Sequence, residues 1–92
     1  MGSFHNELTD KLMETILKLK TKEDCYKFFE DVCTIKEILD MSKRLEAAKL
    51  LSNGLNYKEI ISKVGLSTAT LSRVSRALNY GTGGYKKVIK NQ

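Results

Sequence analysis

Apolar residues recur along most of this chain at the three- and four-residue spacing of helices with one greasy side. Leu8, Leu12, Met13, Ile16 and Leu17 form one such stripe and predict a first helix over roughly residues 6–19. Cys25, Phe28, Phe29 and Val32 fall at i, i+3, i+4 and i+7, the pattern of a second amphipathic helix. Thr21, with Asp24 three residues on, has the form of a capping box that would open it. Thr34 with Glu37 repeats that form and predicts a long third helix from Ile35 to about Ser52. Its apolar positions are Ile38, Leu39, Leu45, Ala48 and Leu51. Asn53-Gly54 should close it, because both residues tolerate the left-handed conformation that ends many helices.

The next stretch reads as two short helices joined by a tight turn, over about residues 57–78. Asn56 and Glu59 form a third cap pair, and Ile60, Ile61 and Val64 make the stripe of the first short helix. Gly65 stands where the turn needs a residue without Cβ. Ser67 is placed to cap the second helix, whose stripe is Leu71, Val74 and Leu78. The other side of that helix carries Thr68, Thr70, Ser72, Arg73, Ser75 and Arg76, with no acid among them. Short hydrogen-bonding side chains and guanidinium groups suit a helix pressed against a polyanion. The layout is that of a DNA-binding helix-turn-helix. A glycine-rich turn at 79–84 and a short helix over 85–90 complete six helices, an all-α chain with no convincing strand.

Charge sharpens this picture. The net charge is +5, but residues 1–40 hold 6 basic and 9 acidic side chains, whereas residues 41–92 hold 10 basic and 2 acidic. The positive excess therefore falls on the half with the helix-turn-helix, which favours attraction to phosphates over a merely solvated basic surface. Ninety-two residues make one domain that buries a core only marginally alone, a limit that a dimer would relieve. The composition, 41% hydrophobic and 29% charged, is that of a soluble globular protein. No apolar run approaches the ~18 residues of a membrane span. The N-terminal segment has no apolar signal core, which points to the cytoplasm. Met1-Gly2-Ser3 is compatible with a tag remnant, and Asn6 stands where myristoylation needs Ser or Thr.

Candidate chemistry is sparse. Cys25 and Cys33 lack a metal-binding spacing and read as core or partly buried thiols. Phe28 and Phe29 read as core or dimer contacts rather than a cofactor site. Tyr57 either reaches a phosphate through its hydroxyl or packs. His5, the only histidine, lies in a terminal segment and is not expected to act as a general base or metal ligand. With no nucleophile–histidine pair and no phosphate loop, an enzyme reading has nothing to stand on.

The run Val64-Gly65-Leu66-Ser67-Thr68-Ala69-Thr70-Leu71-Ser72-Arg73 resembles the Trp repressor family. So does the upstream segment with Arg44-Leu45-Glu46, Leu50-Leu51 and Asn53-Gly54. Residues 30–37 and Leu78-Asn79-Tyr80-Gly81 are more similar to its YerC/YecD-type subgroup. The likeness spans about Leu8 to Ile89. It implies an intertwined homodimer built on N-terminal dimerisation helices over about 6–52, with the helix-turn-helix units projecting from it. It also implies double-stranded DNA as partner. The matching DNA-contacting positions are Tyr57, Lys58, Thr68, Ala69, Thr70, Ser72 and Arg73, with Arg76 added as a further cation. The function implied is a sequence-specific regulator acting on a palindromic operator, as a repressor by occlusion. The alternative is an adaptor that keeps the fold without reading DNA.

The family's ligand pocket is where this chain departs from the pattern. Lys43 and Arg73 stand at the positions of its two tryptophan-gripping arginines. Val74 replaces a glycine and Ala77 a serine. A branched side chain at 74 should fill the space of an indole ring, or simply continue the core stripe. Lysine lacks the planar fork of arginine. L-tryptophan is therefore not expected to bind, no cofactor is expected, and an effector of another kind stays open.

Overall fold

The computed structural model describes residues 4–90; the reading of Met1-Gly2-Ser3 lies outside them. Six helices follow in order: α1 (Glu7–Ile16), α2 (Lys22–Val32), α3 (Ile35–Ser52), α4 (Tyr57–Val64), α5 (Thr68–Tyr80) and α6 (Gly84–Lys90). No strand occurs among the described residues.

The starts of α1, α2, α4 and α5 are set by the chemistry of their caps. The Asn6 side chain accepts the Thr9 N–H at 3.0 Å and the Thr9 hydroxyl accepts the Asn6 N–H at 2.8 Å, a box the apolar pattern alone did not reveal. Thr21 accepts from the Asp24 N–H at 3.0 Å, and the Asp24 carboxylate accepts from the N–H groups of Lys20 and Thr21 at 3.2 and 3.4 Å. The same box explains why α1 ends at Ile16 and not at 19. A chain that must deliver an extended Thr21 to the next helix leaves helical geometry first. The N–H groups of Lys18 and Leu19 bond three residues back, to Thr15 and Ile16, in a tightened last turn.

The chain divides into two compact units, one up to Ile35 and one from Lys36. The first holds α1 and α2, neither of which has a buried residue. Leu8 and Leu17 of the α1 stripe are 77% and 83% exposed. In the expected α2 stripe Cys25, Phe28 and Phe29 are half-buried while Val32 is exposed. Cys25 and Cys33 are free thiols, both half-buried.

The second unit has the core. Ala47, Ala48, Ile60, Leu71 and Val74 are sealed together, with Leu50, Leu51, Leu55, Ile61, Val64, Leu66, Tyr85 and Ile89 packed around them. α4 packs on α5, and α5 on α6. Ala47 was not on the expected stripe. Its neighbour Ala48 is on that stripe, and both are fully buried in the core cluster. Leu39, expected inside, is 54% exposed.

Candidate nucleic-acid interface

The helix pair α4–α5 is fixed from both ends. Upstream, Gly54 adopts φ +88, its N–H bonds to Leu51 O, and the Leu55 N–H reaches Leu50 O at 3.1 Å. This is a Schellman closure, and it aims the chain so that Asn56 can cap α4. The Asn56 side chain accepts from the Glu59 N–H at 2.9 Å, and Glu59 returns the bond to the Asn56 N–H at 3.1 Å. Between the helices lie only Gly65, Leu66 and Ser67. Gly65 takes φ +80 and its N–H bonds to Ile61 O at 2.9 Å. Leu66 is half-buried against the core. Ser67 Oγ accepts the Thr70 N–H at 3.1 Å and donates to Thr70 Oγ1 at 3.0 Å.

This hardware decides which side of α5 is free. Leu71, Val74 and Leu78 are buried. Thr68, Ala69, Ser72, Arg73 and Arg76 are exposed on α5, and Tyr57 and Lys58 are exposed in the first turn of α4. Thr70 differs: it is half-buried and its hydroxyl is tied into the Ser67 cap, so it flanks the exposed strip. Ser75 is half-buried too. α5 runs to Tyr80, two residues past the expected end. The Gly81 N–H closes it on Ala77 O at 2.9 Å and Asn79 Nδ2 donates to Ser75 O at 3.0 Å. α6 starts one residue earlier than expected, at Gly84.

The electrostatics are one-sided. No Asp or Glu follows Glu59, while Lys63, Arg73, Arg76, Lys86, Lys87 and Lys90 do. The ion pairs Lys11–Glu7, Lys27–Glu23 and Lys36–Asp40 all lie at or before Asp40. The cations of α5 are therefore left to solvent or to a partner's anions. Lys36 hydrogen-bonds Asp40 at 2.8 Å, and with Arg44 and Lys43 nearby it holds that carboxyl below its ordinary value.

Of the candidate ligand residues, Lys43, Arg73 and Ala77 are exposed, and Val74 is 2% exposed within the core. A shallow groove of about 320 Å³ is lined by Ala77, Gly81, Thr82, Gly84 and Tyr85, so it takes in only one of the four. Among the described residues no group of His, Cys, Asp or Glu is placed to hold a metal ion. Among the described residues no helix is long and apolar enough to cross a membrane.

Comparison with known proteins gives a consistent result. The family model described as Trp repressor protein matches residues 7–92. The chain is 49% identical over 80 residues to the protein YerC of Bacillus subtilis (strain 168), covering 87% of this chain and 77% of that one. It is 35% identical over 80 residues to the Trp operon repressor homolog of Chlamydia caviae, covering 86% and 79%. The crystal structure of a TrpR-like protein from Eubacterium eligens superposes with a TM-score of 0.91 at 49% identity, covering 94% of this chain and 89% of that one.

Proposed function

From the premise that the chain belongs to the Trp repressor family, a family of DNA-binding regulators, we propose that it is a homodimeric repressor that reads a palindromic operator with α5. The observation that carries this is the split of α5: Leu71 and Val74 are fixed in the core while Ala69, Ser72, Arg73 and Arg76 face out of an acid-free segment. Ala69 and Ser72 are small enough to let the start of α5 approach base edges. Lys58, Arg73 and Arg76 neutralise phosphates and set the register. Tyr57 and Thr68 offer hydroxyls beside them, and Thr70 offers its methyl group while its hydroxyl serves the cap.

The second copy of the chain is supported by the uncovered stripe of α1. Fully burying a leucine contributes about 1.5–3 kcal/mol, so covering Leu8 and Leu17 on both protomers would offset part of the cost of association. Two α5 helices related by a twofold axis then meet half-sites about 34 Å apart. The protein acts in the cytoplasm as one functional domain per protomer. L-tryptophan is not its ligand, because Val74 fills the core where the family keeps a glycine. Isothermal titration should show no saturable tryptophan binding; a micromolar isotherm would overturn this.

The test of the main reading is selection of duplexes from a random pool with the purified protein. A twofold-symmetric consensus is expected. Failure to enrich any duplex, together with a stable protein partner in a pull-down, would replace the reading with that of an adaptor.

A further inference from the structure

The outward line of α5 does not stop at Arg76. At 3.6 residues per turn, the side opposite Leu71, Val74 and Leu78 runs through Ala69, Arg73, Arg76 and Tyr80, spaced by four, three and four residues. Tyr80 is 86% exposed, more than any other large apolar side chain among the described residues. Its ring takes no part in ending the helix, which closes through the backbone with the Gly81 N–H on Ala77 O. An uncovered aromatic ring in register with two free guanidinium groups marks a contact made with something outside the chain.

Length says which part of DNA that contact meets. Ala69 and Tyr80 are eleven residues apart, about 16 Å along a helix axis, whereas the major groove is about 12 Å wide. When the start of α5 lies at base edges, its end has passed the groove wall and stands at the sugar–phosphate backbone. The tyrosine hydroxyl is a neutral hydrogen-bond donor of a kind that phosphate oxygens accept. We infer that Tyr80 is a further DNA-contacting residue, which donates its hydroxyl to a backbone phosphate beside each half-site and positions α5 without reading sequence. This rests on the operator-binding reading above.

The test compares wild type, Tyr80→Phe, Tyr80→Ala and Arg76→Ala on a selected duplex and on an unrelated one, across a salt series. Tyr80→Phe removes only the hydroxyl. It should weaken both duplexes by about the same factor, roughly five- to tenfold, and leave the slope of log K against log salt unchanged, because a neutral donor releases no counterion. Arg76→Ala should make that slope shallower. Wild-type binding with an unaffected Tyr80→Phe overturns the role of Tyr80 alone. So does a Tyr80→Ala protein that changes oligomeric mass while Tyr80→Phe binds normally, since the ring would then belong to a protein interface. A wild-type chain that binds no duplex removes the operator reading itself, and this inference with it.

Discussion

Replacing Arg73 with alanine separates electrostatics from folding unusually cleanly in this protein. The side chain is exposed, takes part in none of the ion pairs, and lies in a segment without acids. Its loss therefore removes no ion pair among the described residues and no buried side chain. Surface changes of this kind stay within about 0.5 kcal/mol, a Tm shift of about two to four degrees for a chain this size. DNA binding should respond quite differently. The proposed dimer loses two cations, and each phosphate contact contributes about 0.9 to the salt slope, so the slope should become shallower by about 1.8. Between 50 and 200 mM salt the gap between wild type and variant should then narrow by about twelvefold. Fluorescence anisotropy on a labelled duplex from the selection reads this directly, with a thermal melt as the fold control. Parallel wild-type and Arg73→Ala lines would mean that Arg73 neutralises no phosphate. An unchanged affinity as well would mean that the wrong side of α5 has been assigned to DNA.

Other predictions concern the scaffold. Leu71→Ala, at a fully buried position, should cost about 2–5 kcal/mol in chemical denaturation; a negligible loss would show that α5 is not anchored there. Gly65→Ala should cost about 1–2 kcal/mol from left-handed backbone strain alone, because nothing lies within 4 Å of an added Cβ, and Gly65→Asn should recover part of it. Gly81→Ala should fail for a different reason: at φ −83 its backbone is ordinary, but the Cβ runs into the Ala77 carbonyl oxygen, so Gly81→Asn should bring no recovery. Asp40 has its carboxyl pKa lowered chiefly by the Lys36 hydrogen bond, from a starting value of 3.8. A lowered acid stabilises the fold above that value and stops doing so as pH falls through the folded pKa. The small stability difference between wild type and Asp40→Asn should therefore vanish on acidification below 3.8, and one that persists unchanged would contradict the assignment.

Much of the helical layout was legible because caps and periodicity agreed. Thr21–Asp24, Asn56–Glu59, Gly65 and Ser67 all do what their residue types suggest, and Leu71, Val74 and Leu78 are buried as their spacing implied. The errors fall where two local signals competed. The α1 stripe continued to Leu19 on paper, but the demands of the Thr21 cap ended the helix at Ile16. Thr70 looked like Thr68 and Ser72, yet its place in the first turn of α5 drew its hydroxyl into the Ser67 cap. Ala47 is fully buried without standing out in the pattern, because alanine carries little periodic signal. Tyr80 lies beyond the helix end that the sequence suggests at Leu78; the extension of α5 to Tyr80 puts its ring in line with Arg73 and Arg76. Val74 fits two readings in the sequence, a side chain that fills a pocket and one that continues the core stripe, and the structure seals it in the core cluster.

The bare stripe of α1 has one more consequence. In the proposed dimer these thinly covered helices depend on company, so their order should rise and fall with how many copies of the chain are present. The melting point should climb as the protein is concentrated, and dilution should loosen the first unit before the second. A cell that makes more of this protein would thereby also make each molecule sturdier, so abundance itself would tune how much of the population is fit to act.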